Sequence, residues 1–598
     1  MKTMFSSKWG LPLQIVLISL WSAQLLYTDA YYVNYLLVMT IASICCYRNS
    51  RLGERLEKEL KDKHMNVIVH LYALAFSAMV TMSNYSIWRY HPYSEGLIGS
   101  HGRLYSIIWL LIFAFGGYFA FWNIFHVLAA KINALTWKQS SQCPRPIRAF
   151  AISFLSLMVT RLIVLFYSQY PGVLAYDSIT QMSQILSGRY TNHHPYYHTM
   201  TIKLFVSLGM SIFHDLEAGI ATFSVFQILF TSACFSYAVS TLAKMTAPKW
   251  TVISACLFFL LMPYHILYAI TMWKDVMFGC FVLLLVTSLV RLLNTAERGR
   301  IDYVILAISG LGTCLYRSNG LLAFMLLVLA FGAIWKLKER KIFVILLLAL
   351  ISGLVLKHSV LSQLHIPQPD IMESLSIPAQ QIARVVCEGG ELNDWERETL
   401  GAVVEIDFIP QNYKTWLADP MKEMVWHKGN QHLIAENKLD YIKLYLSLGL
   451  RYPGAYIRAW IDQTKGYWNA GYDDYRWETG VLVNDLGIEG SIRNLWFDQA
   501  LKKYCGLFME IHFLRLFLSI GPFIWADMLA LMVALLRKDK LGAFVSLPVL
   551  SIVLTLLLAT PLVAEVRYIY SAFCTLPIVL VTVLRPTQDF DWRQQWTK

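Results

Sequence analysis

The sequence predicts an all-α, polytopic membrane protein, and three observations carry that prediction. Of its 598 residues, 56% are hydrophobic and 15% charged, with a mean hydropathy of +0.47, an apolar excess that soluble domains rarely reach. Apolar runs of about 17 to 25 residues recur along most of the chain, each long enough to cross about 30 Å of hydrocarbon as a helix. Basic residues gather in alternate short loops, the bias expected of cytoplasmic loops.

Taken in order, candidate spans fall at 11–27, 31–46, 67–85, 104–130, 148–169, 219–243, 250–270, 275–293, 302–317, 319–335, 341–360, 512–536, 541–558 and 563–584. The opening MKTMFSSKWG and its apolar run resemble a signal peptide, but no small-residue cleavage site follows, so a retained first span is expected. Arg48, Arg51 and Arg55 follow the second run, and Lys131, Lys138, Arg145 and Arg148 the fourth. Those loops are expected inside, which puts the N-terminus in the cytoplasm and the loop after 169 outside. The stretch 199–215 is short for a span and carries Lys203; it reads as a helix lying at the outer interface. Left uncounted, it sends Lys244, Lys249, Arg298, Arg300, KLKERK (336–341) and RKDK (537–540) all to the inner side. About fourteen spans with both termini cytoplasmic result.

Four regions follow. Residues 1–147 form a four-span extension, 148–360 a transmembrane core with a first outer loop at 170–218, 361–506 a hydrophilic extracytoplasmic domain, and 507–598 the last spans and a cytoplasmic tail. The net charge of +12 is unevenly spread, because residues 361–506 hold 14 Lys or Arg against 20 Asp or Glu. The basic excess therefore sits in short loops between spans, which excludes a nucleic-acid partner and leaves membrane lipids. The long outer region reads as helical: Pro378 opens a helix through Cys387 that Gly389-Gly390 ends, Asn393 with Glu396 has capping-box spacing, and Pro453 opens another helix through Lys465. The ten cysteines show no metal-ligand or disulfide spacing and read as small buried hydrophobes.

The stretch Tyr170–His198, YPGVLAYDSITQMSQILSGRYTNHHPYYH, is the most informative. It is a polar, aromatic loop with one carboxylate, Asp177. That carboxylate can act as a general base toward a hydroxyl, or it can simply cap a helix from Ser178 to Ser187 closed by Gly188. Tyr176, Gln181, His193 and His194 are candidate substrate contacts around it. No metal site is read from His193-His194, because adjacent histidines diverge and lack a nearby Cys partner.

Further polar clusters fall at the same outer ends of spans: Trp273-Lys274-Asp275, Arg317-Ser318-Asn319 and Glu565-Val566-Arg567-Tyr568. Lys274, Arg317 and Arg567 are cations against the usual charge bias, and together they suit a lipid-linked phosphate. Asp275 can assist catalysis or cap the helix it opens, and Glu565 can bind substrate or pair locally with Arg567. Arg161 and Asp527 lie deeper and can pair with each other. The aromatic run Tyr467–Tyr475 reads either as a sugar-stacking surface or as an aromatic belt.

YPGVLAYDSITQ, GRYTNHHP, TMWKDV, YRSNG and EVRYIY resemble the pieces of GT-C superfamily membrane glycosyltransferases, from about residue 148 onward. The chain also resembles a multi-span family of Gram-positive bacteria in which IPAQQIARVV and GYWNAGY have counterparts. The GT-C resemblance implies a bundle of spans with interfacial helices and an outer domain. It also implies transfer of a sugar, with inversion, from a polyprenyl-phosphate donor to a cell-envelope acceptor such as a wall polysaccharide, teichoic acid or glycolipid. Asp177 would be the base, with Asp275 assisting. Many GT-C enzymes pair two acids in the first loop, often with a divalent cation; here Asp177 stands alone, so a cation is possible and no cofactor is assigned. The rival classes are a transporter or flippase of lipid-linked glycans, which predicts broken helices in two related halves, and a non-catalytic envelope assembly protein.

Overall fold

The computed structural model describes residues 10–28, 39–46, 48, 63–85, 103–132, 136–138, 143–294, 298–336, 338–472 and 477–586. Arg51, Arg55, residues 31–38 of the second expected span, Asp473, Asp474, Tyr475 and the tail from 587 lie outside these. The described chain is helical throughout, with no strand and a few isolated single-residue bridges.

Eight described helices are long and apolar enough to cross a membrane, or nine if one bent pair is a single span. Among the described residues the expected count of about fourteen is not reached, and the helix ends show why. Gly320–Trp335 and Ile520–Leu536 are apolar but have only 16 and 17 residues. The run at 302–317 stops as a helix at Leu315, where the polar turn Arg317-Ser318-Asn319 begins. The run at 250–270 breaks at Pro263, which has no N–H to continue the helix, and the two halves meet at 65°.

Lys274–Asn294 is the central helix, buried on almost every side and packed against Leu216–Lys244, Arg300–Leu315 and Tyr570–Val583. Gly279 permits the last of these contacts, because a Cβ there would meet the Tyr570 ring at 2.8 Å. Pro146–Tyr167 and Tyr196–Phe213 both pack on Leu216–Lys244. The latter helix exposes Leu204, Leu208, Ile212 and Phe213 on one side and buries His198, Ile202 and Val206 on the other. It does not meet the criteria for a crossing helix. Lys63–Ser83 and Arg103–Ala130 pack together and reach the last helices through Phe76 and Phe121, which meet Trp525.

The region 361–506 builds a core of its own from Ser376–Cys387, Asp394–Val403, Asp419–Lys428, Lys438–Arg451 and Pro453–Thr464. Asn393 and Glu396 exchange the two bonds of a capping box, at 2.9 and 3.0 Å. Inside the IPAQQIARVV stretch, Gln380 donates to the carbonyls of Lys414 and Leu417, and Arg384 pairs with Asp462 at 2.8 Å. Tyr85 also donates to Asp462, at 2.6 Å, which ties the N-terminal helices to this region.

Two expectations about polar and aromatic groups are corrected here. Tyr467, Trp468, Asn469 and Ala470 are buried against the bundle, with Trp525 donating to the Trp468 carbonyl. They are core, neither a sugar-stacking face nor an aromatic belt. Arg161 and Asp527 do not pair. Arg161 donates to Ser232 at 2.9 Å and lies over the Phe235 ring, whereas both carboxylate oxygens of Asp527 are buried with no hydrogen-bond partner among the described residues.

Candidate functional site

Backbone pairing explains why Asp177 comes to rest beside Lys274. The Val173 N–H donates to the Ile270 carbonyl at 2.9 Å and the Val173 carbonyl accepts from the Met272 N–H at 3.0 Å, so residues 170–175 run alongside 270–273. Gln227, fully buried, fixes that bend by donating to the carbonyls of Tyr268, Ala269 and Thr271. Gly172 allows the close approach: its φ is +142°, and a Cβ would land on Ser224 Oγ. On its other edge the loop is covered by a strap from the long hydrophilic region, through Leu174 to Gly480 and Tyr170 to Ser491.

The short helix then runs Tyr176–Ser187, starting two residues earlier than a cap at Asp177 requires. Ala175 is its N-cap and Gly188 closes it at φ +70°. Asp177 is therefore not a cap. Its carboxylate sits in the first turn and points to cations instead. Asp275 likewise lies in the first turn of its helix and spends its carboxylate on Arg317.

The predicted clusters meet. Lys274 Nζ and Arg567 Nη1 each donate to the same Asp177 oxygen, Oδ2, at 2.9 Å. Lys274 also donates to His194 Nδ1 at 3.1 Å, and that nitrogen is 3.9 Å from Oδ2. A protonated lysine has no lone pair to offer, so Nδ1 must be the acceptor and the imidazole proton is on Nε2. Glu565 stands 3.8 Å from Arg567 Nε. Arg317 Nη1 donates to buried Asp275, one residue from Lys274. Tyr568 lies between the two arginines, its ring 4.6 Å from the Arg317 guanidinium and 5.2 Å from that of Arg567, and Trp273 covers Arg567 at 5.1 Å.

Three expected contacts are placed elsewhere. Gln181 is fully buried and its amide holds Thr199 and His198, fastening the short helix to Tyr196–Phe213. Tyr176 projects from the surface, 76% exposed. His193 is exposed and touches the cluster only through its ring against His194. Sequence reasoning missed Lys357, whose ammonium caps the carbonyls of Arg317 and Ser318 at 3.3 and 2.8 Å from a π-helical turn at Val355–Val360. Asn319, which the sequence places in the Arg317 cluster without a role, accepts from Arg317 Nε and donates to Thr555 at 2.7 Å. A lysine at the end of an apolar run is ordinary in sequence, so only a fold shows what it faces.

Electrostatics divides the site sharply. Burial pushes the Asp177 carboxyl up, but Lys274, Arg567 and His194 together outweigh it and hold it well below the usual carboxylate range. Burial and the Lys274 charge push His194 down to about 2, so it is neutral at any ordinary pH. No group of three or more His, Cys, Asp or Glu able to hold a metal occurs among the described residues. The one carboxylate oxygen that would lead such a set is already held by two cations. This donor set does not fit the divalent cation that the sequence leaves possible.

The low His194 value has a measurable consequence. An unfolded histidine titrates near 6.5 and the folded one near 2, so on acidification the unfolded chain takes up a proton that the native site refuses. This stability is complete above pH 6.5 and drains as pH falls, by on the order of 2 kcal/mol at pH 5. Thermal unfolding midpoints of His194→Gln between pH 7.5 and 5 should fall less steeply than those of the wild type. Equal slopes would mean that His194 is protonated in the fold. Buried His198, pushed down to about 3, adds a similar slope that both proteins share.

A family profile described as a family of unknown function, DUF6020, matches residues 152–595. No curated protein and no solved structure matches the chain.

Proposed function

The chain belongs to the DUF6020 family, and from its convergent ion cluster we propose that it is a GT-C-type glycosyltransferase. It moves a sugar from a polyprenyl-phosphate donor to a cell-envelope acceptor, a wall polysaccharide, teichoic acid or glycolipid, on the outer face of a bacterial plasma membrane. The observation that carries this reading is that Lys274 and Arg567, from separate helix ends, converge on one carboxylate, Asp177, while Arg317, paired with Asp275, shares the Tyr568 ring with Arg567. The orientation that goes with it keeps both termini cytoplasmic and sets the cluster, the Tyr196–Phe213 interfacial helix and residues 361–506 outside. Shorter apolar helices then complete a bundle of about fourteen spans.

The chemistry is economical. The acceptor oxygen bonds to the anomeric carbon, the carbon–oxygen bond to phosphate breaks, and its electron pair leaves on the phosphate. The acceptor proton goes to Asp177. A phosphate is a good leaving group that needs cations more than a protonated acid, which suits a site with one such carboxylate and three cations. A glycosidase would want two carboxyls flanking the bond. Asp275, tied to Arg317, positions that arginine and is a poor candidate for proton transfer. The neutral His194 presents Nε2–H as a donor toward substrate.

Sugar analysis of envelope polymers tests the reading. Cells carrying Arg567→Gln in place of the wild-type chain should lose most of one sugar, as should cells lacking the chain. Unchanged sugar content in both strains ends the transferase reading. Accumulation of a complete lipid-linked glycan on the inner leaflet would instead favour a flippase, the reading to which unpartnered, buried Asp527 lends weight.

A further inference from the structure

Asp177, as it stands, is badly placed to be a base. Both cations converge on Oδ2, and a carboxylate held well below its usual range has little affinity for a hydroxyl proton. Yet the arrangement leaves room for exchange. Among the described residues, Oδ1 of Asp177 accepts no hydrogen bond, Nη2 of Arg567 donates none, and Lys274 uses two of its three N–H groups. The carboxylate side chain is 16% exposed, so the cluster has an open side.

We infer that Asp177 occupies the place of a phosphoryl group in the ligand-free protein, and that a phosphate-bearing lipid headgroup takes Lys274 and Arg567 from it. A phosphate monoester carries up to two charges and three terminal oxygens, so it outcompetes a single carboxylate for an ammonium and a guanidinium fork. Once its cations face the phosphate, the Asp177 carboxylate has an anion for a neighbour and its proton affinity rises. The base is thus switched on by the donor, which would stop a free acceptor from being deprotonated with nothing to receive it. Only this last consequence rests on the transferase reading; the exchange itself is a property of the anion site.

The competing arrangement is that Asp177 stays paired and merely holds the cations at the right spacing. The two differ in how pH changes the effect of removing the carboxylate. Among the described residues, the charged and titratable groups facing Asp177 are Lys274, His194 and Arg567, with His198 and Tyr568 within reach of its charge and Glu565 behind Arg567. Binding of farnesyl phosphate to the full-length protein in detergent is measured by calorimetry at pH 7.5 and pH 5, for wild type and Asp177→Asn. With exchange, the Asn variant binds about tenfold tighter at pH 7.5, because no carboxylate must be displaced, and the gap narrows to about threefold or less at pH 5 as bound wild type takes up a proton. Protonation of the phosphate itself affects both proteins and cancels in the ratio.

Weaker binding by Asp177→Asn, or a ratio that does not change with pH, overturns the inference. Glu565→Gln checks the assignment: its ratio to wild type should be the same at both pH values, and a narrowing there would make Glu565 the exchanging group. Asp177→Ser replaces Asp177→Asn if the latter does not fold. Inorganic phosphate serves as the second probe. The same pattern with both probes supports a phosphoryl site, the pattern with farnesyl phosphate alone supports a lipid headgroup site, and no binding of either overturns the proposal. Because this titration involves no transfer, its failure and a failure of the sugar analysis are separate results.

Discussion

Asp177→Asn is expected to lower glycosyl transfer by about 10²- to 10⁴-fold, the usual range for loss of a general base. The measurement is the initial rate of transfer of labelled sugar from a polyprenyl phosphate to envelope acceptor in membranes bearing each variant. Folding should survive, because Asp177 caps no helix. Ala175 holds the N-cap position, Gly188 closes the C-terminus, and Gln181 anchors the buried face. Asn keeps the side-chain volume and one carbonyl oxygen for Lys274 or Arg567, while Glu565 remains beside Arg567. A rate within about threefold of wild type would remove Asp177 from catalysis, and an anion site with no base would remain.

Arg317→Met should be the most destabilising single change at the site, by about 3–5 kcal/mol. Asp275 is 1% exposed, its Oδ1 is held by Arg317, and its Oδ2 has no hydrogen-bond partner among the described residues. Removing the guanidinium leaves an uncompensated buried carboxylate in the first turn of the helix that packs against Leu216–Lys244, Arg300–Leu315 and Tyr570–Val583. The effect belongs to the orphaned charge rather than to the strength of the pair, so Asp275→Asn combined with Arg317→Met should recover most of the loss. Denaturant unfolding in micelles of the two single variants and the double variant measures this coupling. Two single losses that sum to that of the double variant would show that the pair acts as two independent groups, and a harmless Arg317→Met would show that water reaches Asp275.

Much of the site is legible in the sequence. Lys274, Arg317 and Arg567 stood out because each is a cation at the end of an apolar run where the charge bias disfavours one, and Asp177 because it is a lone acid in an aromatic loop. Those are departures from a background set by the bilayer, and a departure is visible in one dimension. Gln181, His193 and Tyr176 were read from proximity in sequence. A helix of 3.6 residues per turn sends neighbours to different faces, so Gln181 turned inward and Tyr176 outward. The phase of the short helix was out of reach too, since Tyr176 is as good a first residue as Ser178 and the choice was made by Ser178 bonding to the Met272 carbonyl.

The burial of Tyr467–Ala470 shows the same limit for aromatic runs. A Tyr-Trp-Asn sequence has identical composition whether it stacks on sugars, lies among headgroups or fills a core, and Gly521, whose Cβ would collide with the Asn469 carbonyl, decided for the core. Pairing at a distance was equally hidden: Arg161 and Asp527 are two opposite charges in apolar surroundings, yet their helices turn them toward different neighbours.

By itself the sequence determined that this is a helical membrane protein with ionic residues at particular helix ends, because hydropathy and charge placement are set locally by transfer from water to lipid. Which of those residues touch was decided only by tertiary packing. The bend at Pro263, the approach at Gly172 and the Gln227 clamp bring Asp177 to Lys274, and the crossing at Gly279 brings the Tyr570–Val583 helix alongside, with Arg567 just before its start. Contacts between residues hundreds of positions apart depend on the relative orientation of rigid helices, and no local pattern encodes that.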